Sequence, residues 1–166
     1  MEFLTTNETV QFVHGLARNI DLEKYHSLEN KEMIKKTYAY PLAQDLFYYS
    51  SLIAEHSIVN SWGLFYISEH NIFPSCDNTN LYYSLRKHNG DFRSIDSAPG
   101  HLFFKHERHD LASFISVAIA NIYDGIILSE LDYSRFHLSH DGFLDVYSNN
   151  ESLLVEFDEF TSKTKK

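Results

Sequence analysis

Cysteine is nearly absent from this sequence, and its scarcity excludes two kinds of site. Cys76 is the single cysteine among 166 residues. An internal disulfide needs two cysteines, and zinc sites built on thiolates use two to four of them. The ten histidines offer no replacement, because no His-Glu-x-x-His spacing occurs in the chain. We therefore expect no metal centre and no cofactor.

Long apolar runs are also missing. The most apolar stretch, residues 114–128, is interrupted by Asn121 and Asp124 and is shorter than the roughly 20 residues that span a bilayer. The N-terminus lacks the basic segment and apolar run of a signal peptide. We expect a cytoplasmic protein that does not associate with membranes.

Proline and glycine are few, with three and six residues, and no stretch has the composition of a linker. The length fits one domain, and a chain of this size buries about 70% of the surface that its unfolded form exposes. We predict a single globular domain over residues 1–166, with a short mobile tail at about 162–166.

Acidic residues, by contrast, are abundant and unevenly placed. The formal net charge is −9, and residues 120–160 hold nine carboxylates against Arg135 alone, a net charge of −8. A negative field of this kind repels nucleic acid and anionic membranes and attracts a basic partner. The alternative is that the acidic surface only keeps the protein in solution.

Helical spacing predicts the N-terminal part of the fold. A first helix, capped by Thr6 or Asn7, extends to about Asn19. Residues 21–40 are more polar and are typical of a second, exposed helix. Its lysine-rich stretch contains Lys31, Lys35 and Lys36.

A third helix is predicted from Pro41 to about His56, since proline is favoured at the first position of a helix. Four apolar side chains define its buried face: Leu42, Leu46, Tyr49 and Ile53. Residues 64–67 follow as a buried strand, because four apolar residues run without alternation.

Residues 70–107 are the least regular part of the chain. They contain three glycines or prolines between residues 90 and 100, which break regular structure. Within them, the pattern predicts a short helix from Asn80 to His88 and a strand near residues 102–104.

The clearest helical stripe lies at about residues 110–122, where Asp110 occupies a capping position. Its apolar members are Leu111, Phe114, Ile115, Ala118, Ile119 and Ile122. Gly125 is predicted to end this helix before a strand at residues 126–128. The whole pattern indicates an α+β fold, with N-terminal helices and a small, mainly antiparallel sheet packed on this central helix and ending in a β-hairpin.

The hairpin is predicted from Asp141-Gly142, which lies between residues 136–140 and 143–147. Asp-Gly between apolar strands favours a two-residue type I′ turn. That turn pairs His140 with Phe143 and Leu138 with Asp145. Residues 151–161 then form a closing acidic helix, although a strand fits their pattern nearly as well.

Ser139-His140-Asp141 has the composition of a catalytic triad but not its geometry. Adjacent strand residues point to opposite faces of a sheet, so Ser139 and His140 cannot converge, and Asp141 is needed for the turn. The same register places His140 and Asp145 on one face, where they can form a hydrogen bond.

Two alternative interpretations of the polar residues remain, an enzyme and a zinc site. A small hydrolase-type enzyme would use His and Asp residues, around His101, His106, His109 or His140. His106, His109 and Asp110 share one predicted helical turn, although a zinc site would need a third or fourth converging ligand.

A resemblance to a known class comes from the segment 110–147. Its apolar helix, the Tyr-Asp-Gly break at 123–125, a short strand, and Leu-Ser-His-Asp-Gly-Phe-Leu-Asp-Val-Tyr-Ser at 138–148 resemble small acidic bacterial toxin-immunity proteins. The likeness covers about a quarter of the chain. It implies a protein-binding inhibitor that neutralises a cognate basic toxin such as a nuclease.

We expect the inhibitor to block the toxin's active site with an acidic, aromatic-rich face. Carboxylates would steer a basic partner and mimic phosphate, while aromatic rings would anchor it. The expected partner-binding residues are Glu130, Asp132, Tyr133, Asp141, Asp145 and Tyr147. A phage or bacterial regulatory module that binds another protein is the remaining alternative.

Overall fold

A computed structural model describes residues 1–15, 33–70, 76–130 and 134–164 of the chain. Within them lie seven strands and five α-helices. In chain order the elements are β1 (Glu2–Leu4), α1 (Thr6–Gly15), β2 (Ile34–Ala39), α2 (Leu46–Ser57), β3 (Trp62–Glu69), α3 (Cys76–His88), β4 (Gly100–Phe104), α4 (Arg108–Ala120), β5 (Asp124–Ser129), β6 (Ser134–Ser139), β7 (Phe143–Ser148) and α5 (Glu151–Thr164).

All seven strands form one antiparallel sheet in the order β1-β4-β3-β5-β6-β7-β2. One antiparallel sheet together with the described helices confirms the predicted α+β class. The sheet is larger than the sequence indicated, because β1 and β2 were not predicted. None of the described helices combines the length and the apolar character needed to cross a membrane.

The two faces of the sheet bury different clusters. Side chains alternate along a strand, so Phe65 and Ile67 of β3 point to one face and Leu64 and Tyr66 to the other. The first face belongs to the main core with α2, α4 and α5. On the second face, Val13 of α1 packs with Leu64 and Tyr66. Since both faces are covered, the unbroken apolar run at 64–67 is explained, and the predicted buried strand is confirmed.

The predicted helix in residues 21–40 is wrong where the structure describes it. Ile34–Ala39 form the edge strand β2, paired antiparallel with β7. Lys35 and Lys36 point to opposite faces, and each forms an ion pair, Lys35 with Asp145 and Lys36 with Asp158. Pairing with β7 therefore overrides the polar composition. Lys31 lies outside the described residues.

The first and third helices are confirmed with changed starts. A capping box holds the start of α1, where the Glu8 amide donates to Thr5 Oγ1 at 3.2 Å and the Thr5 amide donates to Glu8 at 2.7 Å. The cap is therefore Thr5 rather than Thr6 or Asn7. The predicted extension to Asn19 lies outside the described residues.

The third helix, α2, begins at Leu46 after a 3₁₀ turn at Ala43–Asp45, not at Pro41. Tyr49 and Ile53 are fully buried as predicted, but Leu42 precedes the helix and is 63% exposed. A large apolar side chain is thus left at the surface beside α2.

The central helix α4 buries the predicted stripe but ends earlier than expected. Its last residue is Ala120, and Ile122 has a φ of +60° and is partly exposed. The N-cap residue is Glu107, and Asp110, predicted to be the cap, lies in the first turn of the helix. Gly125 does not end the helix but lies inside β5, where the Phe65 ring occupies the space that a side chain would need.

The β6–β7 hairpin exists, but its predicted register is wrong by one residue. Ser139 pairs with Phe143 and His137 pairs with Asp145. The connection therefore has three residues, and it ends at Gly142, whose φ is +88° and whose amide donates to Ser139 O at 3.1 Å. Three-residue loops with a glycine in the left-handed region are the next most common hairpin type.

The remaining elements follow the sequence pattern closely. Helix α3 starts four residues before the predicted one and ends at the same residue, His88, and the predicted strand near 102–104 is β4. Of the two alternatives for residues 151–161, the helix is confirmed. Helix α5 continues to Thr164 and so includes the first residues of the predicted tail.

We predict that Gly125→Ala destabilises the protein while Gly15→Ala does not. A Cβ at residue 125 would lie 2.7 Å from Phe65 Cε2 and 3.1 Å from the Tyr66 carbonyl oxygen. Overpacking of this kind costs about 1–3 kcal/mol. Residue 15 has open space around its Cα, so alanine there should leave stability unchanged or slightly higher. Urea unfolding of both variants measures the difference, and equal stabilities would contradict the packing described for β5.

Candidate functional site

The predicted partner-binding residues that the structure describes do not form one surface. Glu130 follows β5 at one end of the sheet, whereas Asp141 lies in the β6–β7 turn at the other. The six residues of β6 separate these ends by roughly 20 Å. Asp132 and Tyr133 lie outside the described residues.

Glu130 has a structural role. Its carboxylate accepts hydrogen bonds from the backbone amides of Asn60 at 2.5 Å and Ser61 at 3.0 Å, and from the Ser61 hydroxyl. Burial raises the pKa of Glu130, but these donors outweigh it and hold the pKa below its ordinary value. The carboxylate is engaged in fixing the turn between α2 and β3.

Asp145 is buried on the second face of the sheet, with 5% of its surface exposed. Thr37 Oγ1 donates to it at 2.6 Å, Lys35 Nζ lies 2.9 Å away, and His137 Nδ1 lies 3.7 Å away. Burial raises the pKa of Asp145, but the hydrogen bonds from Thr37 and Lys35 lower it by more. The pKa of Asp145 is therefore below its ordinary value. This carboxylate joins β2 to the hairpin and does not face a partner.

The other two described residues of the predicted site differ in exposure. Tyr147 is half-buried, and Lys35 Nζ lies 5.4 Å from the centre of its ring. The Asp141 side chain is 68% exposed at the turn. Of the predicted set, therefore, Asp141 alone is both described and freely exposed to an approaching protein.

The histidines are also separated by the fold. His101 is fully buried in β4, where burial, with the nearby Arg86 charge, lowers its pKa to about 3 and keeps the ring neutral. His106 is largely exposed, and His109 is exposed on the first turn of α4. His140 is bound to Asp124 rather than to Asp145, so the predicted His140–Asp145 pair is wrong. The reason is the three-residue turn, which removes His140 from the strand ladder.

Ser139, His140 and Asp141 do not form a nucleophile–base–acid chain. The Ser139 hydroxyl accepts a hydrogen bond from the Asp141 backbone amide at 3.2 Å. Nδ1 of His140 lies 2.8 Å from Asp124 Oδ2. The prediction that this trio is not a triad is therefore consistent with the contacts observed.

Helices α2 and α5 create a surface that the sequence did not indicate. Tyr49 points inward from α2, and its ring packs against Phe157 and Phe160 of α5 at centroid distances of 5.7 and 5.4 Å. The preceding residue, Tyr48, is consequently directed outward and is 66% exposed, although its ring stacks on Phe160 at 5.4 Å. Packing of one tyrosine thus leaves its neighbour at the surface.

An open groove of about 610 Å³ lies along this contact, and we call it the α2–α5 groove. Its lining includes Leu42, Asp45, Tyr48, Glu156, Glu159 and Phe160. Leu42 and Tyr48 are mostly exposed, whereas Phe160 is partly buried. The groove therefore offers apolar and aromatic contact area that is accessible to another molecule.

Three carboxylates, those of Asp45, Glu156 and Glu159, line the α2–α5 groove together with Lys163. The preceding 3₁₀ turn, α2 and α5 together carry six acidic residues and one lysine, a net charge of −5 with histidine neutral. The lysine, Lys163, lies 4.0 Å from Glu159, and both side chains are well exposed. Glu156 lies 3.0 Å from His56 and is half exposed. Glu156 and Glu159 are therefore accessible from solvent, whereas Asp158 of α5 is paired with Lys36 and does not belong to the groove lining.

Comparison with known proteins gives no relative for this chain: no family model, no curated protein and no solved structure matches it. A functional assignment therefore depends on the surface and contacts described above.

We predict that Asp145→Asn destabilises the protein by about 2 kcal/mol, because the buried network around Lys35 and Thr37 loses its negatively charged acceptor. Asp141→Asn should change stability by less than about 0.5 kcal/mol, because the side chain is exposed and asparagine suits a turn. Denaturant unfolding at pH 7 measures both. Equal effects would contradict the internal role of Asp145.

The cost of Asp145→Asn should depend on pH. The folded-state pKa of Asp145 is lowered from 3.8, so its stabilisation is complete above that value and is lost as pH falls through the folded pKa. The stability difference between wild type and Asp145→Asn should therefore narrow below about pH 4. Unfolding curves at pH 7 and pH 3 test this, and a constant difference would argue against the assigned contacts.

Proposed function

We propose that this protein is an inhibitor that binds another protein, of the immunity type, and that the α2–α5 groove is its docking surface. The partner is a basic protein, such as a toxin nuclease, whose active site the groove occludes. The observation that carries the proposal is the exposed aromatic and aliphatic pair, Tyr48 and Leu42, beside the three carboxylates that line the groove, Asp45, Glu156 and Glu159.

The chemistry of the groove suits an inhibitory contact. Exposed tyrosines contribute most to binding when they are surrounded by groups that exclude water. Carboxylates accelerate encounter with a basic partner and can take the place of substrate phosphates in a nuclease. The Tyr48 ring is held against Phe160, so it loses less conformational freedom on binding.

This docking surface differs from the one expected from the sequence. Glu130 and Asp145 accept hydrogen bonds from other parts of the fold, and Asp141 lies exposed at the β6–β7 turn, at the opposite end of the sheet from Glu130. Acidic and aromatic side chains also adjoin each other on α2 and α5. A regulatory module without a toxin partner would use the same surface, and it would bind its partner without inhibiting an enzymatic activity.

We predict that groove variants weaken partner binding while a hairpin variant does not. The tagged protein would be used at low salt to capture ligands from cells that produce it, and each captured protein would be made separately. Tyr48→Ala should raise the Kd about tenfold or more, as for a hot-spot aromatic. Glu159→Lys should slow association and reduce the dependence of the Kd on salt.

Matched controls locate the contact. Phe92→Ala removes another largely exposed aromatic, and Asp141→Lys reverses the charge at the turn. Both should bind as wild type does, and the wild-type protein should inhibit the activity of its partner. Weakening by Asp141→Lys but not by Glu159→Lys would overturn the groove assignment. Tight binding with no inhibition of any partner activity would overturn the inhibitor function.

A further inference from the structure

Three polar residues from separate parts of the chain meet at the end of the central strands, near the β6–β7 turn. Glu69 ends β3, Asp124 begins β5, and His140 lies in the turn. The potential ligand atoms of these three side chains all lie within 4.8 Å of one another. Among the residues that the structure describes, no other group of three histidine, cysteine or acidic side chains converges in this way.

The contacts within the group are short. The His140 amide donates to Asp124 Oδ1 at 2.6 Å, and His140 Nδ1 lies 2.8 Å from Asp124 Oδ2. Asp124 is 6% exposed, while Glu69 is exposed. The buried carboxylate is thus oriented by the backbone of the turn, as the carboxylate ligands of metal ions are commonly oriented by further hydrogen bonds.

The strand that supplies Glu69 is locally irregular. The pairing of β3 with β5 shifts register between Ile67 and Glu69, and the shift places Glu69 opposite Asp124. Bulges change the direction of a side chain and are over-represented beside functional sites. Here the irregularity brings a second carboxylate towards one that is already buried, although like charges repel.

We propose that Glu69, Asp124 and His140 form a binding site for a first-row divalent metal ion such as Zn²⁺. Two carboxylates and one imidazole are a donor set that zinc accepts. The ligand atoms of a tetrahedral zinc ion lie about 3.4 Å apart. A small rotation of the exposed Glu69 side chain would bring its carboxylate to this distance from the other two ligand atoms. The ion neutralises both carboxylates and replaces the proton between His140 Nδ1 and Asp124.

Three protein ligands leave at least one coordination position for water or another ligand. Such open sites are typical of metal centres that bind or activate a further molecule, whereas structural zinc sites have four protein ligands. Mg²⁺ and Ca²⁺ prefer oxygen ligands in larger number, so they should bind this site more weakly. The site is independent of the α2–α5 groove, and failure of one proposal leaves the other intact.

Zinc titration of the chelator-treated protein tests the site. Calorimetry should show saturable binding of one Zn²⁺ per chain, and Zn²⁺ should raise the melting temperature. Glu69→Gln, Asp124→Asn and His140→Gln should each weaken binding by about tenfold or more. The visible absorption of bound Co²⁺ should change in these variants, since the bands report the ligand set. Mg²⁺ should give no comparable heat.

His106→Gln is the matched control, because the His106 side chain is 81% exposed and lies outside the group. It should bind Zn²⁺ as wild type does. Glu69→Gln is the decisive ligand variant, since a change at an exposed side chain is least able to disturb folding, and circular dichroism of the variant checks its fold. No stoichiometric binding to wild type would overturn the site. The site would also be overturned if the Glu69→Gln and His140→Gln variants bound Zn²⁺ as wild type does and the His106→Gln variant did not.

Discussion

The register of the β6–β7 hairpin decides which polar side chains of the sheet can meet. The turn contains His140, Asp141 and Gly142, and the positive φ of Gly142 closes it onto Ser139. A shift by one residue would exchange the two faces of the strand. In the observed register, Phe136, Leu138, Leu144 and Val146 face the main core.

The same register assigns partners to the polar residues. Asp145 comes opposite His137 and Thr37, where it joins three strands through one buried carboxylate. His140 leaves the strand ladder and binds Asp124 with both its amide and its ring. A single turn conformation therefore separates a structural network within the sheet from a polar group at the end of its central strands.

Much of the acidity of the chain is used within the fold. Asp124, Glu130, Asp145 and Asp158 each accept hydrogen bonds from other parts of the protein. Lys36 holds the pKa of Asp158 below its ordinary value. Glu156 and Glu159, by contrast, are 52% and 66% exposed and line the α2–α5 groove. The proposed docking surface therefore follows from the location of the exposed charge rather than from its total.

Local patterns in the sequence predicted the elements whose own residues determine them. The stripe in α4, the apolar run in β3 and the Asp-Gly turn are of this kind. Strand β2 was missed because Lys35 and Lys36 hide its alternation, and their acidic partners lie more than a hundred residues away. The register was missed because Asp-Gly occurs in both two-residue and three-residue loops.

The candidate sites were harder to predict than the fold. Tyr48 meets Phe160, and Glu69 meets His140, only after the sheet and its helices have assembled. Neither pair has a spacing along the chain that distinguishes it from ordinary surface or core residues. The sequence did indicate an acidic, aromatic surface, but it could not distinguish carboxylates engaged in the fold from exposed ones.

Hydrogen–deuterium exchange of the protein, alone and bound to its captured basic partner, tests the docking surface most directly. The account predicts slower exchange on binding at residues 42–52 and 156–163, which form the two sides of the groove. It predicts unchanged exchange at the β6–β7 turn around Asp141. Protection at that turn, with none along α2 and α5, would contradict the account.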